Sequence, residues 1–255
     1  MLILRGYRFD LVHSSRCLAH PRFPFISLEG ATSPKISDFF GFRLCNIQHS
    51  LGQYYCLGFT QELAATVYAM KLYTSMLDRY QRGAVKNLDM ALIADQRNLI
   101  QHHLMSLPTA AEMKVVSTAK VKGVYEVCRI ATLIFSMGIV LPLQKLCAAY
   151  NPLVEKLKLE LLELQDTIDI YQPEVLELII WVTVLGAIAA EKTSKRSWFV
   201  HVLKHLTEPL LLSGWEDLED RLEGILWLRN ACNNAGYRLW QEVQDTSNAG
   251  CKYNL

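Results

Sequence analysis

The sequence lacks the short patterns that identify a chemistry on sight. Seven cysteines stand at positions 17, 45, 56, 128, 147, 232 and 251, but no two are two to four residues apart. That spacing excludes a zinc knuckle and a CxxC redox pair. An odd number of thiols in a chain of 255 residues fits reduced, mostly buried cysteines in an intracellular protein. No P-loop, GxGxxG, GxSxG, HExxH or EF-hand pattern occurs. Eight prolines and 13 glycines are too few for a collagen-like or low-complexity chain. Lys and Arg number 26 against 25 Asp and Glu, so no global charge draws the chain to nucleic acid or acidic lipid. Long apolar runs are missing too. The two most apolar uncharged stretches, Ile130–Gln144 and Leu178–Ala190, have 15 and 13 residues, short of the ~20 that a membrane span needs. Both read as buried core helices. Arg5 and Arg8 interrupt MLILRGYRFDLV, so no signal-peptide apolar core is expected there.

Apolar residues are plentiful. Hydrophobic residues make up 51% and charged residues 20%, which excludes a disordered chain and supports a sizeable core. Charge is unevenly spread: residues 1–145 hold 16 basic and 9 acidic side chains, and 146–255 hold 10 and 16. The two ends could attract each other or different partners, or the difference is ordinary surface variation.

Residues 1–59 show no sustained period and are expected to form an irregular N-terminal segment packed on the domain. Prolines hold HPRFPF (20–25) extended. Helical periodicity begins after Thr60, the expected N-cap, and stops at Gly83. A second helix comes after Asn87 and is bounded by Pro108. Thr109–Glu112 reads as a capping box, and Gly123 as a divider within the next stretch. YEVCRIATLIFSMGIVL (125–141), apolar nearly all round, reads as a central helix stopped by Pro142. Asn151 and Pro152 open the next helix. Pro173 starts EVLELIIWVTVLGAIAA, the second central helix. TSKRSWFVHVLKHL (193–206) is amphipathic and ends before Pro209. Ser213–Glu216 reads as a capping box for EDLEDRLEGILWLRNAC, and Asn233–Gly236 as a break. RLWQEV (238–243) begins a short last helix, and 246–255 is a frayed tail. The expected fold is all-α, an irregular array of about eight helices around two very apolar central ones, with the helical domain over 60–245.

Several constellations could carry chemistry. His201 and His205 lie at i, i+4 and could share a metal with Glu208, but they lack the third and fourth ligands of a stable site. Glu216, Asp217 and Asp220 are similar to the aspartate-rich motif with which all-helical isoprenoid synthases hold magnesium-diphosphate. The other reading is acids in a helix first turn, at the positive end of the dipole. Lys192, Lys195 and Arg196 form a basic cluster, either a nuclear-localisation signal or a solvated loop. Five tryptophans in the last third read as core, with a ligand cavity between their helices as the alternative. Asp95, Arg97, Asn98, Gln101 and His102 are the densest polar stretch on an otherwise apolar helix. They form either a buried network that fixes helix packing or an effector site. No catalytic, metal or DNA-binding residue is assigned.

Six segments together carry a resemblance. They are HPRFPF (20–25) with YTSMLDRYQRG (73–83), ADQRNLIQHHLMSLP (94–108), YEVCRIATLIFSMGIVLPL (125–143), LIIWVTVLGAIAA with RSWFV (178–200), GWEDLEDRLEGILWLRNAC (214–232) and GYRLWQEV (236–243). In this order, over residues 20–245, the chain resembles the regulatory domain of fungal-specific transcription factors, whose members usually carry an N-terminal Zn2Cys6 cluster. The 94–108 segment is similar to the family's DQRN-x-x-QH-x-L-x-SLP, and 125–129 to its YE-x-CR. The KVVSTAKVKG stretch (114–123) has no counterpart. The resemblance implies a regulatory domain that controls gene expression in the nucleus. It would act through other regulator or co-regulator proteins, under a small-molecule effector. Zinc is expected only in an N-terminal cluster that this chain lacks, as in a truncated family member. Direct nucleic-acid or membrane binding by the chain alone is not expected. The alternatives are a magnesium-dependent all-helical enzyme and a structural partner protein.

Overall fold

The computed structural model of the chain describes residues 2–17, 19–25, 27, 36–113, 118–140, 147–165 and 173–251. Among these residues it is all-α, with eleven α-helices and no strand. In chain order they are α1 (Leu2–Cys17), α2 (Ile36–Phe40), α3 (Leu44–Leu51), α4 (Gln61–Gln81), α5 (Met90–Ser106), α6 (Ala119–Phe135), α7 (Cys147–Gln165), α8 (Pro173–Ala189), α9 (Arg196–Thr207), α10 (Trp215–Ile225) and α11 (Arg229–Cys251). A 3-10 turn (Gly52–Leu57) succeeds α3, and a π turn (Ser136–Val140) succeeds α6.

The last eight helices answer to the eight expected. The first three fall in the stretch expected to be irregular, and α1 shows why. Among its described side chains, those of residues 9–15 and 17, the buried ones are Asp10, Leu11, Ser14 and Ser15. Three of these four are polar, so that part of the buried face has no apolar period to detect. Residues 20–25 carry no helix, as their prolines require.

Several boundaries move for local reasons. Thr60 caps α4 by accepting the Leu63 amide, and Gly83 comes after it in the left-handed region at φ 74°. Helix α5, expected after Asn87, is capped by Asp89, which accepts the amides of Ala91 and Leu92. Thr109 and Glu112 form an isolated turn, with the Thr109 amide donating to Glu112 at 2.7 Å. Helix α6 starts later, capped by Thr118, and runs through Gly123 without a break. Pro152 lies inside α7 rather than at its start. Ser213 donates to Asp217, not Glu216. The chain leaves the helix after Ile225, and α11 passes through Gly236 unbroken to Cys251. Gly236 lacks a side chain for packing reasons: a Cβ there would stand 2.4 Å from the Trp215 ring. Pro142, residues 114–117 and 252–255 lie outside the described residues.

Helices α6 and α8 are apolar nearly all round. Every α6 residue from Val124 to Phe135 is buried, including Glu126 and Arg129. Nearly all of α8 from Val175 to Ala187 is buried as well. Helix α6 with its π turn, Ala119–Val140, is long and apolar enough to cross a membrane by length and composition, but 83% of its apolar window is buried within this fold. Helix α8 packs against α6, α7, α9, α10 and α11, and α5 against α1, α2, α4 and α6.

Gly58 makes one close approach between elements. Its φ is 117°, and a Cβ would meet the Val121 carbonyl oxygen at 2.4 Å. Gly58→Ala should lower the unfolding free energy by about 2–4 kcal/mol, because neither backbone can yield. Gly224, helical with nothing within 4 Å of its missing Cβ, should gain about 0.5–1 kcal/mol on change to Ala. Urea denaturation of the two variants checks the contrast.

Candidate functional site

The polar stretch of α5 faces the N-terminal segment. Gln101 is fully buried and bonds at both ends of its amide. Its Nε2 donates to Ser15 Oγ of α1 at 2.8 Å, and its Oε1 accepts from Ser136 Oγ of the π turn at 2.5 Å. Ser15 in turn donates to the Leu11 carbonyl at 2.8 Å. Asp95 is buried and accepts from Ser27 Oγ at 2.6 Å. His102 Nε2 donates to the Phe23 carbonyl at 3.2 Å. Burial pushes the His102 pKa down, with the Phe23 bond opposing. Arg97 reaches Asn98 Oδ1 with Nε at 3.4 Å and Nη2 at 3.3 Å.

Helix α1 holds the same segment from the other side. The buried Asp10 carboxylate accepts the amides of Arg22 at 2.8 Å and Phe23 at 3.0 Å. The Phe25 ring, also buried, sits edge-on to His102 and to Phe39. Three of the five singled-out residues, Asp95, Gln101 and His102, therefore attach residues 10–27 to α5. Arg97 and Asn98 bond to each other. Sequence reasoning misses Ser15 and Ser136 because they stand far from Gln101 along the chain and no local pattern marks them.

A second buried cluster lies in the YE-x-CR segment. Arg129 grips Glu126 with Nε at 3.0 Å and Nη2 at 2.8 Å, and Lys156 of α7 adds a contact at 2.5 Å. The Ala110 amide donates to the same carboxylate at 3.0 Å, and Tyr125 donates to the Pro108 carbonyl at 2.7 Å. Burial pushes the Glu126 pKa up, but Arg129 and Lys156 outweigh it and hold the carboxyl at about 2. Cys128 between them is enclosed, and burial pushes its thiol well above the usual range.

Of the acidic run, Glu216 is exposed, while Asp217 and Asp220 are engaged in local contacts. Asp217 accepts from the Ser213 amide and hydroxyl, and Asp220 pairs with Arg229 at 2.9 Å. Both belong to the first turns of α10 and its link to α11. His201 and His205 are exposed, with their Nε2 atoms 3.1 Å apart. Among the described residues, no group of three or more His, Cys, Asp or Glu is placed to hold a metal. Trp181 is core and donates to the Leu226 carbonyl at 2.8 Å. Of the four described thiols, Cys128 and Cys232 are buried while Cys17 and Cys45 are exposed.

Comparison with protein-family models, with curated proteins and with solved structures gives no match.

The two buried clusters can be probed one at a time. Gln101→Leu would strand the Ser136 hydroxyl and remove the α1 tie. It should cost about 2–3 kcal/mol of stability, with faster amide exchange concentrated in residues 2–17. Glu126 has a folded-state pKa below its unfolded one, so its contribution is present above about pH 5 and lost as pH falls toward 2. Glu126→Gln should lose about 3 kcal/mol at neutral pH and show a flatter decline in stability between pH 5 and 2.

Proposed function

We propose that this chain is the regulatory domain of a transcriptional regulator. It controls gene expression in the nucleus through regulator or co-regulator proteins, has no DNA-reading module of its own and responds to a small-molecule effector. One observation carries the reading: six segments resembling the fungal-specific transcription factor regulatory domain occur in one order over residues 20–245. We read α6 and α8 as the two central helices of the array.

The geometry supports the reading at two points. Apart from HPRFPF, the segments that carry the resemblance lie mainly on helices in mutual contact, α4 with α5, α5 with α6, α6 with α8, and α8 with α9, α10 and α11. Residues of its two sharpest motifs, Gln101 in 94–108 and Glu126 in 125–129, hold contacts to other elements, α1 and the π turn for the first and α7 for the second, the use expected of a motif that specifies a fold. We assign no catalytic residue, no resident metal and no membrane contact. Asp217 and Asp220 of α10 serve Ser213 and Arg229, which favours the helix-terminus reading over a magnesium site.

Fusion to a heterologous DNA-binding domain tests the proposal. The fusion should change expression of a matched reporter several-fold over the DNA-binding domain alone, and a pull-down with the unfused chain should recover components of the transcription machinery. An unchanged reporter with no such component recovered sinks it. The unfused chain should give no sequence-selective, salt-sensitive mobility shift with DNA.

A further inference from the structure

A cavity of about 360 Å³ opens between the end of α6, the π turn, α7, the C-terminal end of α8 and the start of α11. Its walls are mainly apolar, with Ile134, Phe135, Ile139, Leu185 and Ile188 supplying the larger surfaces and Tyr150 and Asn151 of α7 the polar ones. Gly138, Ala189, Ala231 and Ala235 leave the remaining walls low and flat. The volume sits at the small end of the range for ligand pockets, about 300–1,000 Å³. An apolar hollow of this size beside an aromatic wall suits a compact ring better than a long chain.

The mouth is polar and carries charge. Glu191, Lys192 and Thr193 of the α8–α9 turn line it. The carbonyls at the end of α8 are already occupied. Gly186 and Ala187 accept from the Ala190 amide, and Ile188 from the Glu191 amide. Ala190 accepts from the Thr193 amide and hydroxyl. Glu191 is paired with Arg238 at 3.0 Å. In the basic cluster, Lys195 is paired with Glu155 at 2.7 Å and Arg196 with Glu242 at 2.9 Å. Lys192 has no ion pair among the described residues and stands at the cavity.

We propose that this cavity binds a small aromatic monocarboxylate, with its ring against Phe135 and the small residues and its carboxylate at Lys192. Such a ligand satisfies both halves of the site, since the ring loses water to an apolar wall and the acid meets the cation at the solvent edge. Cys232 lines the same cavity. Its thiol is pushed by burial to about 11, so it reacts slowly and reports on access. Use of the ligand as an effector rests on the regulatory reading above, whereas binding by the purified chain does not.

The test uses the purified full chain with 2-naphthoate and the neutral 2-naphthalenemethanol as probes. Calorimetry should show the acid binding about fivefold tighter than the alcohol. Lys192→Gln should bring the acid down to the alcohol's affinity, and the change is on the surface, so the protein stays folded. Ala235→Phe should abolish binding of both. By peptide mapping, the acid should slow modification of Cys232 by a small thiol reagent and leave the exposed Cys17 and Cys45 unchanged. No binding, equal affinity for acid and alcohol, an unaffected Lys192→Gln variant or unprotected Cys232 would each overturn the proposal. The reporter measurement addresses the regulatory reading separately.

Discussion

Helix α8 has no charged residue between Leu178 and Ala190 and no face that water can solvate well. The chain must cover it on every side, and five helices do so. Gly186 sets how closely they come, because a Cβ there would meet the Phe199 ring at 2.5 Å and Leu157 at 2.8 Å. Each large aliphatic side chain buried this way contributes about 1.5–3 kcal/mol. That attraction has no direction, however, and apolar contact alone leaves many packings of similar energy.

Directional bonds select one packing. Trp181 on α8 donates to the Leu226 carbonyl, which sets where the chain turns between α10 and α11. Tyr54 in the 3-10 turn donates to Glu177 at 3.0 Å and ties that turn to α8. Glu126, Arg129 and Lys156 lock α6 to α7. Gln101 locks α5 to α1 and to the π turn. The ties through Trp181, Gln101 and the Glu126–Arg129 pair are buried, and breaking one leaves a desolvated polar group without its partner, which costs more than the bond itself contributes.

This division explains what the sequence can and cannot say. The eight helices from α4 onward are legible because their burial is apolar and periodic, and the cap at Thr60 and the stop before Pro108 act within a few residues. Helix α1 is not legible, since Ser14 and Ser15 stand where a periodic reading needs aliphatic residues. Asn233–Gly236 reads as a break on composition, but Gly236 answers to the Trp215 ring, a contact across elements that no local pattern carries. The same holds for the candidate site. Asp95, Gln101 and His102 stand out as polar residues on an apolar helix, while Ser15, Ser27 and Ser136 come from distant parts of the chain. The cavity is invisible in the sequence because its walls are ordinary aliphatic and small residues, and only the fold leaves space between them.

The π turn Ser136–Val140 is where these features meet. Ser136 donates to Gln101, which holds α1. Two residues on, Gly138 lines the cavity, and Phe135 lines it from the preceding position. A π turn is a rare local departure from the α-helical hydrogen-bond pattern, and such turns recur at functional sites. A ligand that shifts Phe135 or Gly138 therefore acts on the same short segment that anchors the N-terminal attachment. If binding strengthens the Ser136 contact, then release of α1 weakens binding by the same factor, because linkage between two equilibria is reciprocal. The coupling requires no long path, only one turn of backbone that is bonded on one side and open on the other.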